Sequence, residues 1–240
     1  MNLILDQGNS FTKLALFKGG QLVSKQVCPD DQISDRLTQA LKSNSIEGIL
    51  FSSVRKSDHA VTTILAASGI RWKTFDDELV LPIGVDYTGE QVAGADRLAN
   101  CVAANKLYNG QNCLVVDFGT CTTYSVLKDG AFVGGAISPG IHMRFGALHH
   151  FTGKLPLVAP VEDPSLLGHS TNASIQSGVQ VSALLETDAM IGAFCSEYAL
   201  SNVLLTGGDM PYFEARLKSR TFAHPDLTVT GLNEILEFNA

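Results

Sequence analysis

The chain has 240 residues, a formal net charge of −7, 45% hydrophobic and 17% charged residues. That is enough apolar material for one large or two ordinary packed domains, and it excludes a disordered chain. The acidic balance argues against nonspecific nucleic-acid binding, and no stretch reaches the roughly 20 apolar residues of a membrane span.

Residues 2–28 predict three strands, with turns near Gly8 and at Gly19-Gly20. Asp30-Asp31 precede a helical pattern of Ile33, Leu37 and Leu41, as N-capping acids do. Gly48 to Val54 reads as a strand, and Ser57-Asp58 open a second helix that Gly69 closes. Arg71 to Phe75 is a short edge strand, and 76–94 are irregular. Ala95 to Tyr108 is an Ala- and Leu-rich helix, ended by Asn109-Gly110.

The stretch from Cys113 to Gly140 again reads as three strands, with turns at Phe118-Gly119-Thr120 and Lys128-Asp129-Gly130. His142 to His150 predicts a helix, followed by a Pro-rich loop through Pro156, Pro160 and Pro164. A long helical region covers about 173–199, interrupted at Gly178 and Gly192. Val203 to Thr206 is a strand leading to Gly207-Gly208, then a helix spans 211–219. A strand near Leu227–Thr230 and a short helix finish the chain.

The two sets of three strands look alike. A gapless shift of 111 positions lays Leu3 on Leu114, Asp6 on Asp117, Gly8 on Gly119, Thr12 on Thr123, Leu16 on Leu127 and Gly19 on Gly130. Short matches of this kind also arise from hairpin similarity alone, but the sharper reading is a duplicated α/β domain. The division is expected between 1–111 and 112–240. Each half would carry a phosphate-binding hairpin facing a cleft: Gly opens the backbone to an anion, and a hydroxyl donates to it.

Several chemistries are excluded. There is no GxxxxGK[ST] run and no GxGxxG after a strand, and the six histidines lack metal-ligand spacing. The five cysteines form no CxxC pair, which predicts reduced thiols in a reducing compartment. No basic segment followed by a long apolar run opens the chain, so a cytoplasmic protein is expected.

Three candidates remain. Asp6-Gln7-Gly8-Asn9-Ser10 with Lys13 could hold phosphate, Lys13 offsetting charge; taken alone it reads first as a hairpin with a surface Lys. Gly94-Ala95-Asp96-Arg97 could supply a base and an anion contact, or Asp96 could merely cap a helix. Gly207-Gly208 could lie against a base or ribose, or be a plain turn.

Together these motifs resemble the type III pantothenate kinases of the actin-like superfamily. The resemblance runs through Asp6–Lys13, Gly94–Arg97, Asp117–Thr120, Gly134–Gly140, Thr171 with Ser177-Gly178, Thr206–Gly208 and Leu227–Leu232. It implies a duplicated ribonuclease-H-like fold with a cleft between the domains, and ATP-dependent phosphorylation of pantothenate, the first step toward coenzyme A. Carried over by position, it implies that Asp6, Gln7, Gly8, Asn9, Ser10, Phe11, Thr12 and Lys13, with Thr120, bind Mg-ATP. Asp96 would be the catalytic base, and Tyr87, Gly94, Ala95, Asp96 and Arg97 would contact pantothenate. Asp117 would hold a potassium or ammonium ion, and Thr171 would reach pantothenate from the second subunit of a homodimer. Ser125 stands where the family often has Asp, and Ser10 where Thr is commoner. Another small-molecule kinase of the superfamily, or a non-enzymatic accessory regulator, are the alternatives.

Overall fold

The computed structural model describes residues 1–9, 11–54, 59–76, 78–88 and 93–240. Ser10, Ser57, Asp58 and Gly89 lie outside the described residues.

The first unit is built on β1 (Asn2–Gln7), β2 (Thr12–Lys18), β3 (Gln21–Cys28), β4 (Gly48–Ser53) and β5 (Trp72–Thr74), in the order β3-β2-β1-β4-β5. β1 runs antiparallel to β2 and parallel to β4. As the central strand it is covered on both faces, which is why Leu3-Ile4-Leu5 is a continuous apolar run and not an alternating one. One face packs on α1 (Ile33–Ser43) and α2 (described as His59–Ala67) through Leu3, Leu5, Ile49 and Phe51 against Leu37, Val61 and Leu65. A two-residue strand, β6 (Gly84–Val85), precedes α3 (Ala95–Leu107).

The second unit repeats the plan. β7 (Cys113–Phe118), β8 (Cys121–Lys128), β9 (Ala131–Pro139), β10 (Asn202–Thr206) and β11 (Phe222–Ala223) follow the order β11-β10-β7-β8-β9. Its helices are α4 (Ile141–His150), α5 (Thr171–Gln176), α6 (Ser182–Tyr198) and α7 (Met210–Glu214). Leu114, Val116, Phe118, Tyr124 and Val126 pack on Phe145, Ile191, Met210 and Phe213. The Phe118 and Phe213 rings stack with centroids 4.0 Å apart.

The repeat is real in topology but not gapless. Gln7 pairs with Thr12 across residues 8–11, whereas Phe118 pairs with Thr122 across 119–121, so the second turn is one residue shorter. Lys13 therefore corresponds to Thr123 and buried Thr12 to buried Thr122, one step off the sequence alignment. A one-residue slip would have reversed every side chain of the strand, so burial sets the true register. The bulges agree: pairing shifts at Leu16/Phe17 in one hairpin and Val126/Leu127 in the other.

Three expectations are corrected. The 173–199 region is two helices joined by a π turn at Ser177–Val181; Gly178 falls in that turn, while Gly192 leaves α6 unbroken. The helix expected over 211–219 ends at Glu214. Leu227–Thr230 is not a strand but the first turn of α8 (Leu227–Phe238). The β-branched run Thr228-Val229-Thr230 favours a strand locally, yet Leu227, Val229, Leu232, Ile235 and Leu236 are all buried at helical spacing.

α8 also moves the domain boundary. Asp226–Ala240 group with 1–109, and 110–225 form the second unit, in place of a division at 111/112. α8 packs on α3 and touches β1, β4 and β2, covering the sheet face opposite α1 and α2. Thr228 Oγ1 donates to Asn100 Oδ1 at 2.9 Å, Asn2 Nδ2 donates to Asn233 Oδ1 at 2.9 Å, and Lys106 pairs with Glu234. The helices meet at Gly231, where a Cβ would stand 1.8 Å from the Ala99 carbonyl oxygen. Gly231→Ala is expected to cost about 1–3 kcal/mol by forcing α8 off α3. Chemical denaturation measures this, and wild-type stability in the variant would contradict the packing.

Candidate active site

Asp6, the last residue but one of β1, is almost buried, at 8% exposure. The pairing places Lys13 opposite it on β2 and Ser52 beside it on β4. Lys13 Nζ donates to Asp6 Oδ2 at 3.2 Å. A carboxylate this poorly solvated needs such compensation, and the lysine supplies charge and a donor together. Gln7 is buried, and its Oε1 accepts from Ser53 Oγ at 2.9 Å. The Gly8 N–H donates to the Phe11 carbonyl at 3.0 Å, closing the turn, and Thr12 Oγ1 donates to Asp30 Oδ1 at 3.4 Å. Asn9 and Phe11 are exposed at this turn.

Asp96 stands in the first turn of α3. Its Oδ1 accepts from the Arg97 N–H at 2.8 Å, and the carboxylate folds back so far that a Cβ on Gly94 would lie 2.6 Å from Oδ1. Burial pushes the Asp96 carboxyl above the ordinary carboxylate range; the backbone bond from Arg97 opposes this, and the negative charge of nearby Asp6 adds to it. The structure thus brings Asp6, Lys13 and Asp96 to one place in the first unit. Arg97 is buried beside Asp96, Ala95 is half-buried, and Gly94 and Tyr87 are exposed.

In the second unit Asp117, the last residue but one of β7, is half-buried, with Thr123 opposite and Thr206 alongside. Gly207 has φ +98°, a conformation that side chains disfavour, and a Cβ there would come within 2.5 Å of Asp117 Oδ1 and of Phe118 N and O. The Asp209 N–H donates to the Phe118 carbonyl at 3.0 Å. Gly119 N–H donates to the Cys121 carbonyl at 3.1 Å, and the exposed Thr120 accepts at its carbonyl from Gly140 N–H at 3.1 Å. Beside this turn, Ile141, His142, Val161, Gln180, Asp209 and Tyr212 line a pocket of about 250 Å³. Thr171 is the exposed first residue of α5, whose Ser170 caps the helix by accepting from the Ala173 N–H at 3.2 Å.

The residues that sequence reasoning missed are the supports. Ser52 and Ser53 were detectable, since they end an apolar strand as the acids do. Asp30 was not, because its partner Thr12 lies on another element. A larger concavity of the first unit, about 680 Å³ around Asn2, Phe17, Gly48 and Leu236, lies at the other end of β1 and includes no candidate site residue. Among the described residues no group of three or more His, Cys, Asp or Glu is placed to hold a metal ion.

A family described as type III pantothenate kinase matches residues 2–193. The type III pantothenate kinase of Cytophaga hutchinsonii is 40% identical over 242 residues, covering 100% of both chains. Among solved structures, a Campylobacter jejuni protein described as a candidate Baf family transcriptional activator aligns with TM-score 0.64 at 19% identity, covering 99% of this chain and 98% of its own. A ROK hexokinase from Thermus thermophilus aligns with TM-score 0.51 at 14% identity, covering 99% and 98%. At these identities the structures establish the fold alone, a duplicated α/β fold.

Carboxyl-carbon NMR should find Asp96 titrating above an ordinary exposed aspartate. Asp6→Asn should lower that midpoint, because it removes a neighbouring negative charge. A midpoint indifferent to Asp6→Asn would separate the two carboxylates.

Proposed function

The chain belongs to the type III pantothenate kinase family, and on that premise we propose that Asp96 and the Asp6–Lys13 pair carry out the phosphorylation of pantothenate by Mg-ATP. The product is 4′-phosphopantothenate, on the way to coenzyme A. The observation that carries this reading is the desolvated Asp96 carboxylate close to the end of β1 where Lys13 meets Asp6.

Asp96 orients the primary hydroxyl of pantothenate and takes its proton as the hydroxyl oxygen bonds to the γ-phosphorus. The bond between that phosphorus and the β,γ-bridging oxygen breaks, and ADP leaves with the electron pair. The transferred group passes through a loose arrangement in which positioning and charge dominate. Lys13 offsets charge on the phosphate oxygens, and the turn from Gln7 to Thr12, with Ser10 included, holds them. Gly94 leaves room for the acceptor, and Arg97 and Tyr87 contact pantothenate. Thr120 binds the nucleotide on the second unit, where Gly207-Gly208 and the adjoining pocket suit its base and ribose.

A monovalent cation, potassium or ammonium, suits Asp117. The cross-strand position that Lys13 takes in the first unit is held by Thr123, a neutral oxygen donor, and Gly207 brings backbone against Asp117 Oδ1 and the Phe118 carbonyl. Hard oxygen donors of this kind accept such an ion. When bound it would supply positive charge near the nucleotide phosphates.

A homodimer completes the reading, with Thr171 reaching the partner's pantothenate. The segment before Thr171 exposes Phe151, Leu157, Leu166 and Leu167, each at least 66% exposed, which favours burial against another chain. No described helix is long and apolar enough to cross a membrane, and the −7 charge disfavours nucleic acid; a cytoplasmic enzyme fits both. An accessory regulator would have no use for a desolvated base, and a kinase for another acceptor is separated by a substrate panel.

ADP release with Mg-ATP and potassium should require pantothenate. Asp96→Asn should cut kcat by roughly 10²–10⁴ without unfolding the protein. In the wild type, kcat should climb with pH as Asp96 loses its proton, on an acid limb displaced above the ordinary carboxylate range. Near-normal turnover in Asp96→Asn would remove Asp96 as the base, and release that ignores pantothenate would point to another acceptor.

A further inference from the structure

The second phosphate turn does not stand unaided. Gly140 N–H donates to the Thr120 carbonyl at 3.1 Å, and a Cβ on Gly140 would lie 2.4 Å from the Gly119 carbonyl oxygen and 2.5 Å from that of Thr120. The two segments touch backbone to backbone, so wherever 138–140 sit, 119–120 must follow.

One side chain fixes 138–140. Arg144, in the first half of α4, donates from Nε to the Pro139 carbonyl at 2.8 Å and from Nη2 to Ser138 Oγ at 2.7 Å. Nη2 also donates to Glu186 Oε1 of α6 at 2.8 Å, and Ser138 Oγ donates to the same oxygen at 2.7 Å. The Arg144 N–H donates to the Gly140 carbonyl at 3.0 Å. The end of β9, the start of α4 and the first half of α6 thus converge on one guanidinium. The bond from Arg144 holds the Glu186 carboxyl below its ordinary range, so the pair is charged at neutral pH.

An arginine serving only to stabilise this surface would need no such geometry. A rigid fork bonded to two consecutive residues of a strand end constrains that end's direction, which a flexible lysine cannot do. Glu186 anchors the fork to α6, so the constraint comes from the body of the unit.

We infer that Arg144 is a positioning residue for the Gly119–Thr120 turn: through Ser138, Pro139 and Gly140 it sets where the turn meets the nucleotide, while touching no substrate itself. The inference rests on the proposal that Thr120 binds the nucleotide. Glu186 and Ser138 act with Arg144.

The test compares wild type, Arg144→Ala, Arg144→Lys and Glu186→Gln. It measures Mg-ADP affinity by calorimetry, KM for ATP and for pantothenate, and thermal unfolding. Arg144→Ala is expected to weaken ADP binding and raise KM for ATP together, roughly tenfold, as loss of charge-assisted bonds does. KM for pantothenate should stay within about twofold. Arg144→Lys should recover part of the loss, since it keeps charge and a donor but not the fork. ADP affinity within about twofold of wild type in Arg144→Ala would overturn the inference, as would equal shifts in both KM values with a lowered melting point. Should Arg144→Ala not fold, unchanged ADP affinity in both Arg144→Lys and Glu186→Gln overturns it. Lack of pantothenate-dependent turnover in the wild type is a separate failure, of the kinase reading; ADP affinity still decides the role of Arg144.

Discussion

Each unit depends on a carboxylate placed where a buried central strand runs out. The apolar runs of β1 and β7 stop at Asp6 and Asp117, and one residue later the chain leaves the sheet. An acid at that point faces a desolvation cost that only nearby donors or cations can offset. Everything around the two strand ends answers that need: hydroxyls on the parallel neighbours β4 and β10, turns with exposed backbone, and a cross-strand partner on β2 or β8.

The two copies answer it differently, and the difference is one residue. The longer first turn puts Lys13 opposite Asp6; the shorter second turn puts Thr123 opposite Asp117. In the first unit the counter-charge is covalently part of the chain. In the second the corresponding position offers a neutral hydroxyl oxygen. A duplicated scaffold has thus acquired two electrostatic characters through the length of a turn, without altering strand order.

The placement of Asp96 and Arg97 also depends on distant packing. α3 carries Asp96 and Arg97 at its start, and α8 presses on it at Gly231. The last element of the chain therefore supports the first unit, across the whole intervening second unit in sequence. Burial raises the Asp96 pKa against its helix position, since the N-terminus of a helix by itself favours the charged carboxylate.

Much of this was legible in the residues. Strands, hairpin turns, the duplication and the positions of Asp6, Lys13, Asp96, Asp117 and Thr120 follow from local apolar runs, turn residues and motif spacing, because those signals span only a few residues. The rest was decided by tertiary structure. The run Leu227–Thr230 reads as a strand by propensity and becomes a helix because Thr228 meets Asn100, 128 positions away, and the neighbouring apolar side chains find α3. The gapless repeat slips because burial of Thr12 and Thr122 fixes each strand's register, and no local pattern counts turn residues. The Arg144 cluster is invisible in sequence for the same reason: Ser138, Arg144 and Glu186 become neighbours only when β9, α4 and α6 pack. Sequence alone determined the chemical groups and most of the elements; the tertiary fold decided the remaining elements and which groups share a desolvated space, since burial is a property of contacts between elements distant along the chain.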